Sequence, residues 1–346
     1  LETRKATSND LVSAKGAAAA PSPAPTPAAE PARACAPCPG CGSATFQVLF
    51  EAKDHLFRTT TETFRIVQCG QCRLIRLDTC PSAAPALEHP ARWSTGDSVA
   101  DRFERAYRRF VISDHVAFVA RAVEEAGDAG PVLDLSPEGG LLRSMLAERG
   151  IPVIGIDCSP DAAAANWKTH HAASVCARLE AAPVAPSSCR AITMLHVLEH
   201  MNNPAALVQT AHALLRPGGR LIVQTPNAAC WEFLLLGERW NGLDVPRHRI
   251  DFRACDLEVL LQSAGFEVLR RKHFSLRDNP GGLALSLAPG LAPTVRRERG
   301  VVEGPAMKLA KHLLWVAMVV ASVPFTVIEA ACRAGSTVMM EARKTE

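Results

Sequence analysis

Between Pro131 and Val268 short apolar runs alternate with amphipathic stretches, and few architectures accept that order. The runs Val132–Leu135, Val153–Ile156, Ala191–Leu195 and Leu221–Thr225 have the length of buried strands. Between the first two, Leu141, Leu142, Met145 and Leu146 form a helical stripe that Gly150 closes as a C-terminal cap. A second helix is expected over Pro204–Arg216. Asn203 is its N-cap, Pro204 its first residue and Pro217-Gly218-Gly219 its stop. A third, Leu257–Ala264, ends at Gly265 and precedes a strand through Val268. Strand–helix alternation of this kind implies an α/β domain: a mainly parallel sheet with helices on both faces.

The segment ahead of this domain reads differently. Cys38-Pro39-Gly40-Cys41 and Cys69-Gly70-Gln71-Cys72 are two C-x-x-C knuckles. Four thiolates at that spacing can close on one tetrahedral zinc, at about 2.3 Å each. Phe64–Val67 supplies a hairpin strand between them, so residues 35–80 are expected to form a zinc ribbon, with Cys35 and Cys80 as flanking substitutes. With all four ligands from protein, Cys38, Cys41, Cys69 and Cys72 describe a closed, structural site. No stretch near the start has the basic, apolar, then small-residue layout of a secretory signal, so the twelve cysteines favour metal over disulfides and a cytoplasmic location.

Other segments set the limits. Residues 1–34 are rich in Ala and Pro and are expected to be a disordered tail. Residues 81–130 are expected to be a helical connector, with a helix over Arg102–Glu125. The last domain would span 131–346 and carry a hydrophobic insertion at about 282–331. Within that insertion Leu313–Ile328 is sixteen residues long, short of the roughly 20 that cross a bilayer, and Pro324 interrupts it. If Ser336–Ala342 returns to the sheet as a last strand, this helix either packs on the domain or a second copy, or rests on a membrane surface with nearby basic residues assisting. A net charge of +3 argues against a nucleic-acid partner. The ribbon carries Arg58, Arg65, Arg73 and Arg76 but few aromatics to stack on bases.

A nucleotide site in such a sheet needs a strand, a tight turn and a helix whose N-terminus faces the ligand. Val132–Gly140 has that layout, and Asp157 ends the second strand, 23 residues after Asp134, where an acid accepts hydrogen bonds from ribose hydroxyls. Gly155–Pro160, Leu195–His200 running on to Leu221, Trp240–His248 and Ala264–Val268 then complete a recognisable order. In these motifs residues 131–275 resemble the class I S-adenosylmethionine (SAM) methyltransferases, in particular bacterial small-molecule enzymes. The ribbon is similar to that of some sugar-modifying relatives. The resemblance implies a Rossmann-like domain, SAM as cofactor and methyl transfer to a small-molecule acceptor such as a sugar or secondary metabolite. It implies cofactor contacts from Asp134, Ser136, Glu138, Gly140, Asp157, Cys158, Glu180 and Leu195.

The chain departs from the family pattern at the first turn, where three usual glycines are Ser136, Glu138 and Gly140. A Glu138 carboxylate facing that of SAM would cost on the order of 4 kcal/mol at 4 Å and an effective dielectric near 20. Arg178 stands where an acid usually holds the adenine amino group, and arginine cannot accept a hydrogen bond; Glu180 nearby can. These departures leave a rival reading open: a methyltransferase fold that binds or scaffolds without SAM-dependent activity.

His196, Glu199 and His200 follow the third strand and would share one face if helical. The H-x-x-E-H spacing also occurs in zinc proteases, but there it lies inside a helix, whereas here Asn203-Pro204 restarts a helix at once. Methyltransferases that modify small-RNA ends use a similar Glu, His and later His to hold a divalent metal at the acceptor hydroxyl. His196, Glu199, His200 and His248 occupy the matching places, so this set is expected to hold such a metal, to act as a base, or only to cap the next helix. Arg247 and Arg249 would meet an anionic acceptor group or lie at the surface.

Overall fold

The computed structural model describes residues 36–78, 99–137 and 139–345. The expected tail, Cys35, Cys80, residues 81–98 of the connector and Glu138 lie outside them.

The chain begins with a three-stranded meander, β1 (Phe46–Lys53), β2 (Thr63–Cys69) and β3 (Ile75–Leu77), and continues in the helix α1 (Val99–Glu125). Then come β4 (Val132–Asp134), α2 (Gly139–Ala147), β5 (Val153–Asp157), α3 (Pro160–His170), β6 (Ser174–Cys176) and β7 (Cys189–Leu195). They are followed by α4 (Pro204–Leu214), β8 (Leu215–Pro226), α5 (Trp231–Leu236), β9 (Ile250–Asp251), α6 (Ala254–Ser263) and β10 (Phe266–Lys272). The chain closes with α7 (Asn279–Leu287), α8 (Pro293–Glu298), α9 (Pro305–Ala331) and β11 (Thr337–Lys344).

Seven strands form one sheet in the order β10-β11-β8-β7-β4-β5-β6. β4 to β8 run parallel, and β11 is antiparallel to both β8 and β10. The sheet is therefore the expected α/β, Rossmann-like one. Its central strands β4 and β7 are buried on both faces, which is why they read as apolar runs rather than as alternation. Leu133, Ile192, Met194, Leu221 and Val223 pack against α4 and α6. Val132, Ala191, Leu195 and Ile222 pack against Val116, Val119 and Val123 of α1 and Leu142 and Leu146 of α2.

From β4 the chain steps outward to β5 and β6, then returns to the other side of β4 as β7. The strand order thus reverses between β4 and β7, and the crevice at their carboxyl ends is where ligands bind in open α/β sheets. Asp134, Leu195 and His196 stand at that crevice because they end, or just follow, β4 and β7.

Two local expectations are corrected. Pro217-Gly218-Gly219 does not separate helix from strand: β8 starts at Leu215, opposite Cys189, and absorbs these residues in a register shift before Arg220 meets Ala191. Gly218 has φ +74°, a conformation glycine adopts without strain. Second, the ribbon's sheet takes a fourth strand from the larger body, because β3 pairs with β9. The interior is shared too. Ala52, Ile66, Ile75 and Leu77 pack with Phe233, Trp240 and Val245.

Candidate active site

The turn after β4 is braced by a serine where related turns have a glycine. Ser136 Oγ donates to Asp134 Oδ1 (2.6 Å) and accepts from the Leu195 amide (3.1 Å), so it ties β4 to β7 across the crevice. Thr193 Oγ1 donates to the same carboxylate oxygen at 2.6 Å. Ser136 is not among the positive-φ residues, so a side chain is accommodated there. Gly139, at the start of α2, has no such freedom: an added Cβ would overlap the Asp134 carboxylate. At Gly140 a Cβ would press on Asn166 and His170.

Asp157 ends β5 as expected, and it has a partner that the sequence reading missed. Arg143 of α2, its side chain 1% exposed, lies between the two acids. Its Nη1 donates to Ser174 Oγ (2.7 Å), Nη1 and Nη2 reach the Asp157 oxygens at 3.4 and 3.5 Å, and Nε lies 3.4 Å from Asp134 Oδ2. Asn166 Nδ2 donates to Asp157 at 3.2 Å. These contacts to Asp157 are longer than the 2.7–2.9 Å of strong charge-assisted bonds, so the carboxylate retains acceptor capacity for hydroxyl donors. Asp134 Oδ2 is buried with no hydrogen-bond donor. On these observations the residues present fit the ribose side of an adenosyl ligand. On the adenine side, Cys158, Cys176, Arg178 and Glu180 gather beyond the ends of β5 and β6. Arg178 is 82% exposed and sits 3.6 Å from Glu180, so it does not close the cleft.

Beyond β7 the backbone turns through His196 at φ +56°, a conformation disfavoured for a side-chain-bearing residue and characteristic of sites where geometry outweighs strain. A 3-10 turn over Leu198–His200 follows. His196 Nδ1 meets Glu199 Oε1 at 3.0 Å, and its Nε2 lies 2.9 Å from the Gln224 amide nitrogen and 3.6 Å from Asp278 Oδ2. Asp278 also faces His115 Nε2 of α1 (3.3 Å), whose Nδ1 meets Asp114 (2.8 Å). Four elements therefore feed one polar chain: Asp114–His115–Asp278–His196–Glu199. Burial disfavours the charged imidazole of His196, but hydrogen bonds and charge from Asp278 and Glu199 outweigh it and push its pKa up to about 10.

His200 and His248 differ. His200 Nδ1 donates to the Arg247 carbonyl (3.0 Å) and His248 Nδ1 to the Gly242 carbonyl (2.7 Å), which leaves the lone pair of each ring on Nε2. The rings meet edge to face at 4.8 Å. Glu199 is fully buried, and its Oε2 has no hydrogen-bond partner. The three side chains offer ligand atoms within 4.8 Å of one another. Of the four residues expected to hold a metal, the structure thus brings together Glu199, His200 and His248 and leaves His196 outside the trio. Burial, and then the nearby His248, push the His200 pKa down to about 4. Asp251 lies alongside, and burial and the Glu199 charge push its carboxyl well above the usual range.

Arg247 does not face an acceptor. Its guanidinium bonds Asp244 and, across to the ribbon, Asp54 at 3.0 and 3.2 Å, and it stacks on Phe57 at 4.5 Å. It clamps the ribbon to the body at the foot of His248. The Arg249 amide donates to the Glu199 carbonyl (2.6 Å), which fixes the loop carrying His248 over the Leu198–His200 turn.

In the ribbon, the Sγ atoms of Cys38, Cys41, Cys69 and Cys72 lie within 4.8 Å of one another, with Cys38–Cys72 and Cys41–Cys69 at 3.5 Å. A tetrahedral zinc with 2.3 Å bonds needs sulfurs about 3.8 Å apart, so the set has the size zinc requires.

The chain is similar to known proteins. A family model described as a methyltransferase domain matches residues 80–271. A ubiquinone biosynthesis O-methyltransferase of Pseudomonas aeruginosa (strain LESB58) is 33% identical over 159 residues, covering 42% of this chain and 68% of that protein. Among solved structures, a putative sarcosine dimethylglycine methyltransferase from Galdieria sulphuraria aligns with a TM-score of 0.47 at 14% identity, covering 70% of this chain and 88% of that one. A SAM-dependent methyltransferase from Archaeoglobus fulgidus aligns with a TM-score of 0.44 at 15% identity, covering 71% and 100%.

Proposed function

The chain belongs to the methyltransferase-domain family and is a SAM-dependent methyltransferase, and on that premise we propose that it methylates a hydroxyl oxygen of a small-molecule acceptor, such as a sugar or secondary metabolite, held at Glu199, His200 and His248. The observation that carries this is the convergence of those three side chains, one a buried carboxylate with an unsatisfied oxygen, beside the crevice between β4 and β7. The name of the matched relatives, an O-methyltransferase, supports oxygen as the acceptor atom.

SAM supplies a methyl group already activated by its sulfonium, so the protein's task is positioning and proton removal. Asp157 receives the ribose hydroxyls. The backbone at Gly139 and Gly140, freed of side chains and at the N-terminus of α2, faces the amino-acid end. Asp134, through Ser136 and Thr193, keeps that turn in shape. Leu195 lines the crevice, and Cys158 and Glu180 border the adenine. At the acceptor side, Glu199 with the imidazoles of His200 and His248 is a donor set suited to a divalent cation such as zinc, manganese or iron. A cation held there would lower the pKa of the acceptor hydroxyl. When bound, SAM would supply a methyl group that passes to that oxygen as the carbon–sulfur bond breaks and its electron pair returns to sulfur, with the hydroxyl proton released to solvent. His196 orients Glu199 through the 3.0 Å contact. The four ribbon cysteines hold a structural zinc.

Metal analysis and SAM titration of Glu199→Gln test this reading. The expected result is loss of the non-ribbon metal with SAM affinity unchanged. Unchanged metal content beyond one zinc per chain would remove the cation, and undetectable SAM binding by the folded wild type would remove the enzyme.

A further inference from the structure

Helix α9 is built inside out. Its buried residues are Ser322, Thr326 and Glu329, whereas Leu309, Leu313, Val316, Val320 and Val327 are exposed. Those five recur at offsets of 4, 7, 11 and 18 residues and, at 100° per residue, share one stripe. Leu314 and Ile328 widen it to roughly 160°. A soluble helix shows the reverse arrangement. Neighbouring elements extend the apolar surface. Leu234 and Leu235 of α5 are 76% and 73% exposed, and α5 packs on the end of α9 through Trp231 against Phe325 and the Glu232 amide donating to Glu329.

We propose that this face docks on the surface of an anionic lipid bilayer. Three observations select the bilayer over a second copy of the chain. First, both ends of α9 are tied to the same body, so the helix lies on the membrane and does not cross it. At its start Glu303 pairs with Arg296 and Lys311, and Arg299 bonds the carbonyls of His55 and Leu56. At its end the chain enters β11, between β8 and β10. Second, the stripe is far wider than the narrow seam through which two helices pair. Third, no charged side chain interrupts the stretch 313–328; Lys308 precedes it and Arg333 follows Glu329, which faces inward. That layout leaves aliphatic groups to the acyl region and one exposed basic side chain at either end for lipid headgroups. Helix α7, which starts beside Asp278 of the active site, packs along α9, so the docking face and the site share an element.

The test is flotation of the full-length protein with phosphatidylcholine vesicles containing phosphatidylglycerol. The wild type should float with the vesicles. The double variant Leu313→Glu/Val320→Glu, at two exposed positions, should lose at least ten-fold in bound fraction while keeping its circular dichroism, zinc content and thermal midpoint. Wild-type protein that stays below the gradient, or a variant that floats equally well, overturns the proposal. So does a concentration-dependent dimer by light scattering that the same variant dissolves, with no vesicle binding.

Discussion

Replacing Arg143 with methionine isolates what that arginine does between the two acids of the crevice. The side chain is 1% exposed and neighbours Asp134 at 3.4 Å, Asp157 at 3.4 Å and Ser174 at 2.7 Å. Methionine fills much of its volume but removes the guanidinium set against two carboxylates whose side chains are 0% and 5% exposed. Removing one partner of a buried pair costs about 3–5 kcal/mol, because the remaining charges are left uncompensated. For a chain of this size each kcal/mol shifts the thermal midpoint by about 2–4 °C, so the midpoint should fall by roughly 6–20 °C. The second half of the cycle makes the reasoning specific. In Arg143→Met/Asp157→Asn one stranded charge is gone, and the double variant should recover at least 1 kcal/mol relative to the sum of the singles. Urea unfolding at neutral pH measures all four proteins. A loss below about 1 kcal/mol for Arg143→Met, or strict additivity with Asp157→Asn, would refute the claim that Arg143 neutralises the site.

Three further outcomes follow from the same structure. Burial, and then the charge of Glu329, push the Glu232 carboxyl up to about 8 from its usual 4.5. Its folded state therefore holds the proton more tightly than the unfolded chain, and stability falls as pH rises from 4.5 through 8. Glu232→Gln should flatten that decline and stabilise the protein at pH 9 by on the order of 3 kcal/mol, as urea midpoints across that range would show. Arg247→Ala strands Asp54 and Asp244 and should cost about 3 kcal/mol, with proteolysis beginning in the ribbon; cleavage elsewhere first would contradict the clamp. Cys38→Ser/Cys69→Ser should remove one zinc per chain and unfold the ribbon, whereas Cys158→Ser and Cys255→Ser should leave zinc content unchanged.

The parallel sheet was legible because burial on both faces turns its strands into contiguous apolar runs, as at Val132–Leu135 and Ala191–Leu195. The place of Asp157 at the end of β5 was legible because strand length and the Rossmann-like order fix where that strand stops. The four ligand cysteines stood out by spacing alone. The missing parts were long-range. Nothing local marks Arg143 as the partner of Asp157, since it sits in an apolar helix stripe where arginines usually point to solvent. Asp278 lies 82 residues beyond His196 and reads as an ordinary residue before a helix. His115, among Val111, Ile112, Val116 and Val119, was the one available signal, a polar residue on a buried helical face. The exclusion of His196 from the cluster of Glu199, His200 and His248 likewise depended on the Arg247 clamp and on the backbone carbonyls that orient each ring. Neither follows from helical spacing.

Isothermal titration of SAM into wild-type protein and into Asp157→Ala bears most directly on the account. One saturable site per chain is predicted, weakened at least ten-fold by the substitution in protein whose fold and zinc are intact. Equal affinity in both proteins, or no saturable heat from the wild type, would show that the acid ending β5 does not hold the methyl donor.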